Sequence, residues 1–192
     1  NIRGYDYYVI MPHFKTEELL HVSKTNKIIE AIGEIPSNKL IILDNFLDIN
    51  KEHTEIYQDF ENDIYFALNE GLDKIKKYKK LFLIYPEKTH YPYPKRILHG
   101  FRKFCVKNNL EFEILDEIYK DIILKEGDLF ITIEESDLVR LIKQIQDDEY
   151  TLGKDIGIIS YNDTPLKDLL GITVISTDFK KMGIEAAKII IN

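Results

Sequence analysis

Short apolar runs alternate along this chain with longer stretches in which apolar residues recur every three or four positions. Tyr7, Tyr8, Val9, Ile10 and Met11 form a compact run stopped by Pro12, which reads as a buried strand over 7–11. Leu19, Leu20, Ile28, Ile29 and Ile32 then fall at helical spacing, predicting a helix over 16–32 with Thr16 as its N-cap. Further strands are predicted at 40–43, 81–85, 111–115, 129–133, 156–160 and 172–176. Helices are predicted at 60–78, 95–108, 137–146 and 180–191. The 60–78 helix is the most regular, with Ile64, Ala67, Leu68, Gly71, Leu72 and Ile75 on one face.

Strands separated by helices of this length pair in parallel and have both faces covered, and their near-continuous Ile, Leu, Val and Phe content fits that burial. The fold class is therefore α/β, with parallel doubly wound sheets. In such sheets the ligand crevice lies beyond the C-terminal ends of the strands, which turns the strand map into a site map. Those ends carry Pro12-His13-Phe14, Asp44-Asn45-Phe46, the 90–96 loop with Tyr91, Tyr93 and Arg96, Glu134-Glu135-Ser136, Tyr161-Asn162-Asp163 and Thr177-Asp178-Phe179. Carboxylates and amides can pair with the vicinal hydroxyls of a sugar, while aromatic rings offer flat faces to its C–H side. The bland alternatives are an Asx turn at Asn162-Asp163, helix caps at Asp59 and Asp178, loop packing for Phe14, Tyr91 and Tyr93, and a carbonyl-held loop histidine at His13.

Composition narrows the functions. Hydrophobic residues make up 44% of the chain and charged residues 31%, as in ordinary soluble domains. A net charge of −7 argues against a phosphate-binding surface on these residues, so any DNA contact must come from sequence outside them. Cys105 is the lone cysteine and sits among Phe101 and Phe104, a buried thiol rather than a ligand. The five histidines have no ligand-like close spacing, and no cofactor or metal is called for. Nucleophile-elbow, phosphate-loop and zinc-helix motifs are absent. Glu134 and Glu135 are the best acid pair, but neighbours leaving a strand diverge. No apolar run approaches membrane-spanning length, and the cytoplasm is the expected compartment.

Four segments carry a resemblance: YQDFENDIYFALNEGLDKI, where an aspartate leads into a helix ending at glycine; PKRILHGFRKF, an Arg-x-x-Gly-aromatic type of helix; DIGIISYNDTPL; and GITVISTDFKKMGIEAAKII. In this order they resemble the effector-binding domain of the LacI/GalR repressors, itself similar to periplasmic sugar-binding proteins. The stretch from 152 to 183 is closer still to the branch in which this domain follows a GntR-type winged helix. The resemblance covers most of the chain.

It implies a two-lobed, periplasmic-binding-protein-like fold. Residues 1–58 and 179–192 would form a partial first lobe with only two strands, and 59–178 a complete second lobe. The effector would be held between the lobes, in a homodimer whose upstream winged-helix domain binds DNA. It adds Asp59 to the ligand-binding candidates, which are then His13, Phe14, Asn45, Asp59, Tyr91, Arg96, Glu135, Asn162, Asp163 and Asp178. Two departures stand out. The family's effector arginine falls three residues before the helix glycine, at Ile97 here, so Arg96 is displaced by one residue, about 100° around a helix. The family's ligand aspartate is Asn162, which keeps hydrogen bonding without the charge. The expected function is a sugar-responsive regulator and not an enzyme. A transport-type binding protein, or a sugar-active enzyme using Glu134, Glu135 or Asp44, are the alternatives.

Overall fold

Alternation within single strands explains how the sheets acquire two cores. A computed structural model describes residues 4–15, 21–22, 25–49, 51–87 and 93–191. These divide into two compact units, Asn1–Gln58 with Thr177–Asn192, and Asp59–Ser176.

The larger unit is built on five parallel strands: β6 (Lys80–Ile84), β7 (Glu111–Leu115), β8 (Asp128–Thr132), β9 (Gly157–Tyr161) and β10 (Thr173–Ile175), in the order β10-β9-β8-β6-β7. Leu81 and Leu83 point to one face, with Leu129, Ile131 and Ile159. There they meet Ile64 and Leu68 of α2 (Phe60–Glu70), and Phe101 and Phe104 of α4 (Arg96–Lys107). Ile84, Phe130 and Ile158 point to the other face and meet Leu138, Leu141 and Ile145 of α5 (Glu135–Asp147). The expected double winding is present. Two features depart from the periodicity. The helix expected over 60–78 breaks at Gly71, whose φ of −85° and ψ of 3° end α2 before a short α3 (Leu72–Ile75). An additional helix, α6 (Pro165–Leu169), starts where the Thr164 hydroxyl accepts from Lys167 N–H and Pro165 fixes the first turn.

Cys105 lies in the first of these cores, and burial pushes its thiol up to about 12. It is expected to resist a thiol reagent at pH 8 in the folded protein and to react at once in denaturant. Rapid labelling of the native chain would contradict this burial.

The smaller unit has three parallel strands, ordered β1 (Tyr8–Ile10), β4 (Leu40–Asp44) and β5 (Thr54–Tyr57). The expectation of two is corrected: β5 was missed because Thr-Glu-Ile-Tyr is short and only half-buried, without an apolar run. The helix expected over 16–32 is also corrected. Among the described residues of that span only α1 (Asn26–Gly33) is helical, and the Thr25 hydroxyl accepts from Ile28 N–H and caps it there. His21–Val22 (β3) instead pairs antiparallel with Phe14–Lys15 (β2), and Thr16 lies outside the described residues. Ile32, Ile35, Leu40, Ile42, Leu47 and Ile49 form the core, with Phe14 packed against it. The final helix, α7 (Phe179–Ile191), lies against β5.

Candidate functional site

In both units the polar groups gather where parallel strands end. In the smaller unit Asp44 closes β4 with φ of 73°, in the left-handed region that a non-glycine residue adopts at a cost of roughly 1 kcal/mol or more. The buried carboxylate is fully engaged. Oδ2 accepts from His13 Nε2 and, at 3.5 Å, from Asn45 Nδ2; Oδ1 accepts from Gln58 Nε2. Gln58 Oε1 in turn accepts from the Thr177 hydroxyl, and Gln58 N–H donates to Asp44 C=O at 3.0 Å. One carboxylate therefore organises the ends of β1, β4 and β5. His13, expected as a loop histidine or ligand contact, is oriented by Asp44 with about a third of its side chain exposed.

In the larger unit Asp59 precedes α2. Its Oδ2 accepts from Asn62 Nδ2 at 2.7 Å, and Arg96 Nη2 stands 3.3 Å from Oδ1. Oδ1 is buried without a hydrogen bond, because that approach is an ion pair lacking hydrogen-bond geometry. Asp63, one turn along, has its carboxyl held above the ordinary carboxylate range, first by shielding from water and then by the charge of Asp59. At the end of β9 the Tyr161 hydroxyl is buried without a partner among the described residues. Burial raises it, and the charge of Asp63 raises it further.

Beyond Tyr161 the chain turns through Asn162, also left-handed at φ of 63°. The turn is held from beneath by Lys167, which is fully buried and donates to Tyr161 C=O at 2.6 Å and Asn162 C=O at 3.0 Å. Asn162 and Asp163 are exposed, and their backbone N–H groups donate to Ile175 C=O and the Ser176 hydroxyl.

Other candidates have local duties. Glu135 approaches Lys167 Nζ to 3.8 Å, while Glu134 accepts from Ser136, so the two glutamates turn different ways. Asp178 caps α7 through Lys181 N–H at 2.7 Å. Tyr93 C=O accepts from the Tyr85 hydroxyl, and Tyr91 lies outside the described residues. Asp137 is buried, with Oδ1 accepting from Ile118 N–H and Arg140. Gln58, Asp63 and Lys167 were missed. Asp63 sits at helical spacing from Asp59, a signal available in the sequence, whereas nothing in the sequence marks Lys167 as buried.

No protein-family model matches the chain, and no curated protein sequence does. Solved structures do. The Escherichia coli transcriptional repressor ascG overlays 98% of this chain and 70% of its own, at a TM-score of 0.69 and 14% identity. The probable maltose operon transcriptional repressor malR of Staphylococcus aureus overlays 97% and 68%, at 0.65 and 16%. A LacI family transcriptional regulator from Lactobacillus casei, with bound glucose, overlays 88% and 68%, at 0.63 and 11%. The fold is that of LacI-family regulators. The parallel α/β architecture expected from the periodicity thus has close counterparts, and this chain spans about two thirds of each of them. No helix among the described residues is long and apolar enough to cross a membrane, and none of their His, Cys, Asp and Glu side chains gather in threes to hold a metal ion.

Proposed function

We propose that this chain is the effector-binding domain of a DNA-binding transcriptional regulator, and that its effector is a sugar taken at the C-terminal ends of the parallel strands. The observation that carries the reading is the overlay of nearly the whole chain on LacI-family regulators, one of them holding glucose. The strand ends support it independently. They carry carboxylates and amides, with two left-handed non-glycine residues, Asp44 and Asn162, placed there at an energetic cost.

In this reading the sugar-contact candidates at the smaller unit's strand ends are His13 and Asn45, and those of the larger unit are Asp59, Arg96, Asn162 and Asp163. DNA is bound by an upstream winged-helix domain of the GntR type, the working form is a cytoplasmic homodimer, and ligand acts by shifting a conformational equilibrium with a coupling of roughly 1–3 kcal/mol. The chain turns nothing over.

A thermal-shift screen of the protein against mono- and disaccharides tests this. Ligand at a hundred times its dissociation constant adds about 2.7 kcal/mol of stability, enough to raise melting by several degrees. The expected result is a shift that Asn162→Ala loses, with the sugar recovered unchanged. A chemically altered sugar would show an enzyme instead, and no shift with any sugar would remove the sugar assignment.

A further inference from the structure

One short helix of the larger unit reverses the usual burial. In α6 Lys167 is 1% exposed, whereas Leu169 is 81% exposed and Leu166 and Leu170 are half-exposed. The inversion has a cause. Lys167 Nζ is drawn inward by the carbonyls of Tyr161 and Asn162, at 2.6 and 3.0 Å, and this fixes how the helix is turned. Leu166, Leu169 and Leu170 stand at i, i+3 and i+4 and so share one face. A surface helix serving only its own domain carries the opposite pattern, with leucine in and lysine out.

The exposed face continues onto α5. Glu135, in the first turn of α5, lies 3.8 Å from Lys167 Nζ, which sets the two helices side by side. One turn along α5 is Val139, and one turn beyond it is Lys143. All three are exposed, at steps of four residues. Lys143 has no ion-pair or hydrogen-bond partner among the described residues. The row therefore reads acid, apolar, base.

Such a row is complementary to its own reverse. Two copies of α5 crossing antiparallel at Val139 bring Glu135 of each against Lys143 of the other, because both lie about 6 Å along the helix from the crossing point. The apolar centre meets its own kind, with the leucines of α6 alongside. A partner of uniform charge would face a like charge at one end of the row, and a reversed second copy does not.

We propose that α5 and α6 form the face through which two copies of this chain pair, about a twofold axis at Val139, with the leucines of α6 buried beside it. This rests on the homodimer named above and supplies its surface; the sugar has no part in it.

The test is sedimentation equilibrium of the protein and three variants from submicromolar to high micromolar concentration, with circular-dichroism melts to check folding. The parent is expected to be a dimer. Leu169→Glu is expected to weaken it by at least about 30-fold, the effect of losing an anchor at the centre of an interface. Glu135→Lys sets lysine against Lys143 on both sides of the axis, and Lys143→Glu sets glutamate against Glu135, so each variant alone is expected to be monomeric. Mixed in equal amounts, these two should recover a dimer within a few-fold of the parent, because every facing pair is then of opposite sign. A misfolded variant cannot give that recovery. A parent that stays monomeric at high concentration overturns the proposal and gives the face to a different partner. A dimer that Leu169→Glu leaves intact overturns it in favour of another surface. Single charge reversals that stay dimeric, or a mixture that stays monomeric, overturn the axis at Val139. In each case the sugar reading stands or falls on its own thermal shift.

Discussion

Replacing Gly100 with alanine is expected to destabilise the larger unit by about 3 kcal/mol, a heavy loss for so small a change. The methyl carbon would stand 2.1 Å from Glu61 C=O and 2.5 Å from Ile64 Cγ2, both on α2. Real contacts of that length do not occur, so α2 and α4 must move apart. The backbone of α2 cannot yield as a flexible side-chain tip would. Ile64, Phe101 and Phe104 are buried where these helices meet the sheet, and a small separation loosens all of them. For a unit of this size the melting midpoint should fall by roughly ten degrees in a circular-dichroism melt. Gly183→Ala is the control. That methyl meets nothing within 4 Å in the interior of α7, and the variant should gain about 0.5–1 kcal/mol from helix propensity alone. If Gly100→Ala melted within two degrees of the parent, the close approach of α2 and α4 would be wrong.

The same glycine shows what could be read from the sequence and what could not. Its helical setting in PKRILHGFRKF was visible, as was the strand at Glu111–Leu115, because both lie in long elements with a clean period. The reason for the glycine was not visible, since it depends on Glu61 and Ile64 about forty residues away. Local chemistry misled within 16–32, where His21–Val22 is a strand and Thr25 caps a helix that starts only at Asn26. At Gly71 propensity overrode the period, and an apparently continuous stripe became two helices.

The candidate site was legible in a similar, partial way. The rule that ligands gather at strand ends picked out His13, Asn45 and Asn162 without a template. Tyr161 and Asp44 were within the same strand-end segments, yet their importance comes from burial and backbone geometry. The Asx-turn alternative at Asn162 was right about the backbone: the residue does turn the chain, with a left-handed φ that asparagine tolerates. Turning and binding are compatible, because the same twist leaves the side chain exposed at the strand end.

Lys167 is the residue on which that turn depends, and its removal should affect stability and ligand binding separately. A lysine buried to this degree is rare, and its stem fills space beneath β9 while its ammonium is satisfied by two carbonyls. Lys167→Ala leaves both carbonyls without their donor and a void where the stem lay. The lost packing outweighs relief from burying a charge, and the expected cost is about 3 kcal/mol, read as a lower midpoint in urea by circular dichroism. Lys167→Met keeps most of the stem and removes only the donors, so it should cost about 1–2 kcal/mol. The two variants should differ little in sugar binding, because each frees the Tyr161-Asn162 turn from its anchor. Both are expected to weaken binding by at least roughly ten-fold, the scale of one well-placed charge-assisted hydrogen bond. If Lys167→Met bound the sugar like the parent while losing stability, the lysine would serve only the core, and the turn would hold its shape through the Asn162 N–H bond to Ile175 C=O and the Asp163 N–H bond to the Ser176 hydroxyl.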